Sequence, residues 1–369
     1  MTTPPSTTTK ERVVVAMSGG VDSSVAAYLL VRDGYDVIGV TMRLWASEAE
    51  EITRDHQGCC SIEDIEDARR VCQTLDVPHY VLNVEREFRE HVMDYFVDEY
   101  QKGRTPHPCI ACNDRIKYDF LMRRAEMLDA KYVATGHYAR IGCDDKTGLH
   151  TLLKGIDPAK DQSYVLFGLS ELQLDHMLLP VGEYTKSRIR ELATEAGLHL
   201  ADKRDSQEIC FIPGDYRDFM KKHVEPQTGE FVHVDGQVLG THKGIEFFTV
   251  GQRRGLGIAP NTPLSERLFV TSLDPKSGRV YLGPEDALYE KDVYIDGVNY
   301  VGGTPPFSSM QVMAKIRYNG HDASALLSPG AAGEATLRFE EAQRAVTPGQ
   351  AAVFYEGDRV IGGGYVRSR

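Results

Sequence analysis

The amino-acid sequence predicts an α/β protein: a doubly wound parallel sheet in the first half, then a small central domain and a carboxyl-terminal β-barrel. Apolar runs alternate with amphipathic helical segments up to about residue 205, the pattern of a parallel sheet covered by helices. Glycine-rich β-like runs fill residues 228–284, and strand–turn–strand patterns follow from about residue 290. We therefore expect three domains, over residues 10–205, 206–284 and 285–369.

The elements of the first half follow one another in order. Apolar runs that suit buried strands lie at 12–17, 35–42, 78–84 and 131–137. Helical patterns lie at 22–32, 62–75, 85–102 and 114–129. Ser61 is the expected cap of the second helix, whose first turn is acidic. Because ligands bind at the carboxyl ends of parallel strands, we expect the site in the loop after Met17, in the segment around Met42 and at Gly136-His137.

Composition and charge limit the class of protein. The chain has 369 residues, of which 41% are hydrophobic and 26% charged, and its polar start lacks the apolar core of a secretory signal. No apolar run is long enough to span a membrane, so we expect a cytoplasmic protein. The net charge of −12 disfavours a nucleic-acid partner. However, 101–124 and 241–280 are basic overall, which is compatible with a polyanion or with ordinary solvated surface.

The segment Ser18–Ser24, SGGVDSS, lies between a predicted strand and a predicted helix. Its glycines let backbone N–H groups approach an anion, and the helix N-terminus adds partial positive charge. A loop that clamps a triphosphate, G-x-x-x-x-G-K-[ST], carries a lysine that is missing here. This loop is therefore suited to bind pyrophosphate as a leaving group. The alternative is an ordinary serine-capped turn between a strand and a helix. A bare S-G-G would fit that alternative, but the S-G-G-x-D-S pattern after an apolar strand is much more specific and favours the pyrophosphate site.

The cysteines suggest reactive thiols rather than a disulfide framework. Their number is odd, and they lie at positions 59, 60, 72, 109, 112, 143 and 210. Cys109 and Cys112 form a C-x-x-C on a proline-rich loop that enters a basic helix, where thiolate is favoured. That suits a nucleophile or a metal ligand; half of a zinc site with His107 is the alternative. Cys210, in an apolar C-F-I run, would by itself be a core cysteine. We expect the first three cysteines to be structural.

Nine segments, in family order, resemble the bacterial tRNA-specific 2-thiouridylases, which belong to the N-type ATP pyrophosphatases. They lie between about residues 11 and 368 and read AMSGGVDSSVAA, GCCSIEDIEDARRVC, GRTPHPCIACN, IKYDFL, ATGHYAR, KDQSYVL, RDSQEICFIP, TVGQRRGLGI and KIRYN. The resemblance implies a PP-loop domain of the adenine nucleotide alpha hydrolase-like fold. It also implies an enzyme that adenylates the C2 oxygen of wobble uridine 34 with ATP and then transfers persulfide sulfur to give 2-thiouridine.

The resemblance also implies roles for individual residues. Those expected to bind ATP are Ala16, Met17, Ser18, Gly19, Gly20, Val21, Asp22, Ser23, Met42 and Gly136. Cys112 would be the catalytic thiol and Cys210 the persulfide carrier. The flipped-out uridine would lie against His107, Pro108 and Cys109. Further tRNA contacts are expected from His137, Lys160, Asp161, Gln162, Arg317, Tyr318 and Gln350.

The implied cofactors and partners are ATP with Mg²⁺, tRNAs of the Glu, Gln and Lys type, and a sulfur donor such as a cysteine desulfurase or a relay protein. Asp22 is a candidate to help hold the Mg²⁺. One position departs from the pattern: well-known members carry Asp three residues before the catalytic cysteine, whereas this chain, like other members, has cysteine there. The acid/base role of that Asp is therefore in doubt. Cys109, Cys112 and Cys210 also make a [4Fe–4S] cluster an alternative carrier of sulfide.

Two rival functions stay open on the sequence alone. A synthetase that amidates a small molecule would share the phosphate loop but would need neither the thiol pair nor the β domain. An ATP-gated or metal-gated tRNA-binding module would bind nucleotide without releasing pyrophosphate.

Overall fold

The computed structural model of the protein describes residues 10–44, 62–203, 209–212, 214–258, 267–331 and 333–368. The expected cap Ser61 and the cysteines at 59 and 60 lie outside these residues. The chain divides into two compact units. The first comprises Met1–Phe88, Asn113–Ser163 and Glu171–Phe211, and the second comprises Arg89–Cys112, Tyr164–Ser170 and Ile212–Arg369. These units interleave along the chain, and the division into three domains stays a prediction.

The first unit is built on a parallel sheet. Its strands are β1 (Arg12–Ala16), β2 (Asp36–Arg43), β3 (His79–Asn83), β4 (Tyr132–Ala134), β5 (Ala139–Cys143), β6 (His150–Lys154) and β7 (Met177–Leu178). Five of them are parallel neighbours in the order β3-β2-β1-β4-β7. β5 and β6 form an antiparallel hairpin, which the sequence analysis did not predict. The apolar residues of β1 explain its central place, since Val13, Val14 and Val15 are completely buried.

The helices of the first unit follow the strands in alternation. They are Val21–Arg32, Ile62–Thr74, Glu85–Phe88, Leu121–Glu126, Glu171–Asp175, the 3₁₀ turn Pro180–Glu183, and Lys186–Glu195. Val25 and Leu29 of the first helix and Ile189 and Leu192 of the last share one buried core with β1. A π-helix, Cys112–Phe120, leads into this unit at the place where the sequence predicts an α-helix over 114–129. The predicted helix 85–102 is likewise interrupted by π-helical turns at Arg89–Met93.

The second unit contains a closed barrel. Its six strands are β12 (Tyr289–Tyr300), β13 (Met310–Lys315), β14 (Ala323–Pro329), β15 (Ala335–Arg344), β16 (Ala351–Glu356) and β17 (Arg359–Val366). They pair antiparallel in the order β12-β15-β14-β13-β16-β17, and β17 pairs back with β12. Closure leaves no open sheet edge, and alternate side chains such as Val293, Leu337 and Phe354 fill the interior.

The rest of the second unit is a small mixed sheet with short helices. The strands are β8 (Gly229–His233), β9 (Val238–His242), β10 (Phe269–Asp274) and β11 (Arg279–Gly283), in the order β10-β11-β8-β9. The helices are Asp94–Gln101, Pro108–Ala111 and Tyr216–His223, with 3₁₀ turns at Ser163–Leu166, Ile245–Phe247 and Glu285–Leu288. Across the described residues, every helix is too short or too polar to span a lipid bilayer. The predicted fold class, a parallel α/β sheet followed by a small domain and a β-barrel, is confirmed.

We expect the barrel interior to carry much of the stability of the second unit. Phe354 is completely buried there, so Phe354→Ala should lower the free energy of unfolding by about 3–5 kcal/mol, since it removes contacts and leaves a cavity. Phe307 is fully exposed, and Phe307→Ala should change stability by less than about 0.5 kcal/mol. Urea unfolding measures both, and equal losses for the two variants would contradict the barrel packing.

Candidate nucleotide and thiol sites

Serine hydroxyls hold the phosphate loop between β1 and the helix Val21–Arg32 in shape. Ser23 Oγ donates to the carbonyl of Gly20 at 3.1 Å and accepts from the backbone N–H of Ser18 at 3.2 Å. Ser24 Oγ donates to the same carbonyl at 2.8 Å. Gly19 has a φ of +71°, and a Cβ there would lie 2.3 Å from the carbonyl oxygen of Asp64. The hydroxyls thus close the loop, and its backbone N–H groups and the helix N-terminus are the groups suited to an anion.

The end of β4 packs directly on this loop. A Cβ at Gly136 would lie 2.6 Å from the backbone nitrogen of Ser23 and 2.7 Å from the carbonyl carbon of Asp22, so the absence of a side chain is required. Met42 is buried at the end of β2, the neighbour of β1 on its other side. The structure thus brings the predicted nucleotide residues together at the carboxyl edge of β1, β2 and β4, as expected for this sheet.

Asp22 is held by two side chains that the sequence analysis missed. Tyr138 Oη donates to its Oδ1 at 2.7 Å. Lys186 Nζ donates to Oδ1 at 2.8 Å and to Oδ2 at 2.9 Å. The only local signal was a lysine directly after the helix cap Thr185. A carboxylate that accepts these bonds keeps further lone pairs, so the expectation that Asp22 helps to hold Mg²⁺ stays a prediction.

A second lysine, Lys203, binds the loop through the carbonyl of Gly19. Lys203 Nζ donates to the carbonyl of Gly19 at 2.9 Å, to Asp64 Oδ1 at 2.8 Å and to Asp67 Oδ2 at 2.7 Å. Burial acts to lower the pKa of Lys203, but the hydrogen bonds to the two carboxylates prevail and raise it. Lys203 therefore stays positively charged and links the loop, at Gly19, to the helix Ile62–Thr74, at Asp64 and Asp67. The sequence analysis missed it, although it lies just before the RDSQEIC segment.

Three of the predicted tRNA-contact residues in the first unit are engaged internally. Asp161 Oδ1 accepts from the backbone N–H groups of Gly155 at 3.0 Å and Ser163 at 3.1 Å. Gln162 Oε1 accepts from the backbone N–H of Tyr138 at 3.0 Å. His137 is buried, its Nδ1 lies 2.6 Å from Thr135 Oγ1, and burial lowers its pKa well below the usual value. These side chains shape the loops they lie on. Their contacts with tRNA, and that of Lys160, stay predictions.

The two predicted reactive cysteines lie on different units. Cys112 is 7% exposed and follows the short helix Pro108–Ala111, which begins with the proline that favours a helix start. Cys109 is exposed on the same turn. Cys210 belongs to the first unit and is partly exposed. Within the described residues, no three His, Cys, Asp or Glu side chains are grouped to hold a metal ion. The iron–sulfur alternative stays a prediction.

An aromatic cluster surrounds His107 in the second unit. Its ring centroid lies 6.2 Å from that of Tyr164 and 5.6 Å from that of Tyr318. Lys315 Nζ lies 5.8 Å from the Tyr164 centroid and 5.9 Å from the Tyr318 centroid. Burial lowers the pKa of His107 to about 4, so the imidazole is neutral at pH 7. Tyr164 is completely buried, whereas His107 and Tyr318 are partly exposed, so these two rings are the ones suited to contact a nucleobase. The sequence analysis missed Tyr164 and Lys315, although both lie in segments quoted for the resemblance.

The two other predicted contacts of the barrel bind backbone carbonyls. The Arg317 guanidinium donates to the carbonyls of Arg344 and Ala345, the latter at 3.0 Å, and burial lowers its pKa. Gln350 Nε2 donates to the carbonyl of Thr105 at 2.7 Å. Gln350 thereby fixes the segment that leads to His107. Direct contacts of both side chains with tRNA stay predictions.

The fold and the loop define the class. A parallel sheet whose first strand leads into a lysine-free S-G-G-x-D-S loop is that of the PP-loop ATP pyrophosphatases. Family models match the chain as a tRNA methyl transferase HUP domain over residues 11–214, a tRNA methyl transferase PRC-barrel domain over 217–284 and an aminomethyltransferase β-barrel domain over 290–366.

Curated relatives identify the family within this class. The tRNA-specific 2-thiouridylase MnmA of Clostridium perfringens is 48% identical over 363 residues, covering 98% of this chain and 99% of that protein. MnmA 1 of Thermoanaerobacter pseudethanolicus is 48% identical, covering 97% of this chain and 98% of that protein. MnmA of Clostridioides difficile is 46% identical, covering 96% and 98%. The chain belongs to the tRNA-specific 2-thiouridylase family.

We expect Gly136→Ala to disturb the loop. The added Cβ cannot fit against the Ser23 nitrogen, so the melting temperature and the ATP affinity measured by calorimetry should both fall, the affinity by about tenfold or more. At Gly20 an added Cβ would meet only Ser18 Oγ, at 3.4 Å, so Gly20→Ala is the matched control and should keep the wild-type melting temperature. Wild-type values for Gly136→Ala would show that β4 does not support the loop.

Asp114, two residues after Cys112, should make stability depend on pH. Burial raises its pKa to about 7, although Arg115 opposes the shift. The folded chain therefore holds a proton that the unfolded chain releases near pH 4, so this contribution to stability is complete below pH 4 and is lost as pH rises to 7. The slope should be up to about 1.4 kcal/mol per pH unit. Asp114→Asn should flatten it in urea unfolding series at pH 4–8, and an unchanged slope would contradict the shift.

Proposed function

We propose that the chain is a tRNA-uridine 2-sulfurtransferase that activates C2 of the wobble uridine with ATP and replaces its oxygen by sulfur. The observation that carries this proposal is the serine-closed, lysine-free loop Ser18–Ser24 at the carboxyl edge of the parallel sheet. It occurs in a chain that matches proteins named tRNA-specific 2-thiouridylase along nearly its whole length. A tRNA is the substrate in this proposal, and ATP the co-substrate.

The first step is adenylation. The C2 oxygen of the uridine attacks the α-phosphorus of ATP, an oxygen–phosphorus bond forms, and the bond to pyrophosphate breaks. Backbone N–H groups of residues 18–23 and the N-terminus of the helix Val21–Arg32 are suited to receive the departing pyrophosphate. Met42 and Gly136 would line the adenosine. Mg²⁺ would bind together with ATP and would neutralise the charge of its phosphates. Asp22, in the first turn of the helix Val21–Arg32, would help to hold it.

The second step transfers sulfur from a persulfide on Cys210. The terminal sulfur of the persulfide bonds to C2, and AMP leaves. The Cys112 thiolate then attacks Cys210 Sγ and breaks its bond to the transferred sulfur. This frees the thiocarbonyl and forms a Cys112–Cys210 disulfide. Alternatively, Cys112 first releases sulfide from the persulfide, and the sulfide attacks C2. Both routes end in the same disulfide, and an external dithiol supplies the two electrons that reduce it. The proposal therefore requires the two thiols to approach to disulfide distance during turnover.

The uridine would be bound outside the base stack against His107 and Tyr318, whose rings pack on the completely buried Tyr164. Two facts support this: His107 is a neutral ring at pH 7, and it lies a few residues before Cys112 on the same turn-forming segment. Pro108 and Cys109 lie between them. The remaining predicted contacts with tRNA are part of this proposal, namely His137, Lys160, Asp161, Gln162, Arg317, Tyr318 and Gln350. The tRNA types (Glu, Gln and Lys), a cysteine desulfurase or relay protein as sulfur donor, and action in the cytoplasm belong to it as well.

The decisive experiment incubates the full chain with ATP, tRNA, a cysteine desulfurase with cysteine, and a dithiol, followed by nucleoside analysis. We expect 2-thiouridine from the wild type and a loss of at least about 10³-fold from Cys112→Ser and Cys210→Ser, because a hydroxyl cannot carry or release the sulfur. Cys143 is exposed on the β5–β6 hairpin, so Cys143→Ser is the matched control and should retain activity.

Other outcomes would contradict the proposal in distinguishable ways. A methylated uridine would support the methyl transferase named in the family-model description. Pyrophosphate release without modified tRNA, unaffected by Cys112→Ser, would support a small-molecule synthetase. Nucleotide binding without pyrophosphate release would support a binding module. Iron and sulfide counts on anaerobically purified protein test the cluster alternative, and a colourless, iron-free, active enzyme would exclude it.

A further inference from the structure

Two consecutive glycines leave the direction of one peptide group in the phosphate loop open. Gly19 has a φ of +71° and Gly20 a φ of −96°. Because neither residue has a Cβ, the peptide group between them can rotate with little steric resistance. The carbonyl of Gly19 and the N–H of Gly20 belong to this one planar trans group and point in opposite directions. Depending on how the group is turned, the loop presents either a donor or an acceptor to an anion.

Lys203 selects one of these two orientations. Its ammonium group donates to the carbonyl of Gly19 at 2.9 Å, so that carbonyl points toward Lys203 and the N–H of Gly20 points away from it. Within the part of the chain that the structure describes, this N–H has no acceptor. It lies at the start of the helix Val21–Arg32, where a phosphate oxygen is able to accept from it.

Independent bonds fix the position of Lys203. Its backbone N–H donates to the carbonyl of Leu200 at 2.9 Å, and Arg190 Nη2 donates to the carbonyl of Lys203 at 3.1 Å. The ammonium group also donates to Asp64 Oδ1 at 2.8 Å and to Asp67 Oδ2 at 2.7 Å. The lysine is therefore an ordered donor, held in place on both its backbone and its side chain.

The helix Ile62–Thr74 meets the loop at the same place. A Cβ on Gly19 would lie 2.3 Å from the carbonyl oxygen of Asp64, so the two backbones are in direct contact there. The single positive charge of Lys203 faces the carboxylates of Asp64 and Asp67, which offset it where it lies. Its effect on a bound anion is therefore expected to come from the direction that it gives to the peptide group, more than from its charge.

We propose that Lys203 is a positioning residue of the phosphate loop. It holds the Gly19–Gly20 peptide so that the N–H of Gly20 is directed at the phosphates of ATP that leave as pyrophosphate. Without this lysine the carbonyl of Gly19 is free to turn into the site, where its partial negative charge would repel the phosphates. This inference rests on the proposed adenylation and concerns only its nucleotide side. Lys203 itself does not touch the nucleotide, unlike the lysine of a G-x-x-x-x-G-K-[ST] loop.

Calorimetry of the full chain with ATP, AMP and inorganic pyrophosphate, each with Mg²⁺, gives the first test. Lys203→Met removes the donor and should weaken binding of pyrophosphate and of ATP by about 10- to 100-fold, with little change for AMP. Lys203→Arg keeps a charged donor and should recover most of the affinity. The matched control is Lys131→Met, which removes an exposed lysine of the same unit paired with Glu11 at 2.6 Å, and it should bind all three ligands as the wild type does.

Nuclear magnetic resonance of the chain labelled with ¹⁵N-glycine reports on the peptide group itself. The amide signal that is missing in Gly20→Ala belongs to Gly20. In the wild type, saturating pyrophosphate with Mg²⁺ should move this signal to lower field, because the N–H then donates to an anion. In Lys203→Met, also at saturation, it should move much less. A full shift in that variant, or none in the wild type, would overturn the proposal.

A triple variant separates the direction of the peptide from the neutralisation of charge. Lys203→Met with Asp64→Asn and Asp67→Asn leaves neither carboxylate without its lysine, so the fold should be kept even if the single variant is unstable. The proposal predicts weak pyrophosphate binding in the triple variant. Wild-type binding there would show that Lys203 only neutralises the two carboxylates, and an equal loss of ATP and AMP binding in Lys203→Met would show a general structural role; either would overturn the proposal. Because no tRNA or sulfur donor is used, a failure to make 2-thiouridine would contradict the proposed function alone.

Discussion

The ion pair between Asp22 and Lys186 is the interaction on which the geometry of the phosphate loop depends. Together with Tyr138 it joins the loop after β1, the residues just after β4 and the amino end of the helix Lys186–Glu195. These three segments are far apart in sequence. They meet because parallel strands direct all their carboxyl ends to one edge of the sheet. A buried pair of this kind contributes little net stability, but breaking one partner is costly, so it fixes the geometry of the loop more than it strengthens the fold.

The same edge shows how a phosphate loop is built without a lysine in its own sequence. Backbone carbonyls accept from the hydroxyls of Ser23 and Ser24, and Lys203 binds the carbonyl of Gly19. The carbonyls are therefore turned toward internal donors, and the N–H groups of the first helical turn have no partner within that helix. Glycine at positions 19 and 136 is required because the backbone of neighbouring segments fills the space of a side chain. Anion binding thus follows from close packing as much as from charge.

Much of this could be predicted from local sequence. The strands near β1, β2, β3 and β4 were predicted within a few residues because their apolar runs are short and continuous. The loop was predicted because its glycines and serines are adjacent. Lys186 and Lys203 could not be predicted in the same way, since they lie 164 and 184 residues from their partners in the loop. The π-helical turns at Arg89–Met93 and Cys112–Phe120 were also missed, because a change from four-residue to five-residue hydrogen bonding leaves no clear mark in the hydrophobic pattern.

The residues around Cys112 differ in one physical respect from those of the phosphate loop. The loop holds charged groups in pairs, whereas burial keeps His107 neutral at pH 7 and raises the pKa of Asp114 to about 7. Burial excludes water, which would otherwise hydrolyse an adenylated base. Cys109 stands where other members of the family carry an acid. Position 109 is an exposed cysteine in this chain, so the acid/base role that the sequence analysis associated with an Asp at that position is not supplied by this residue.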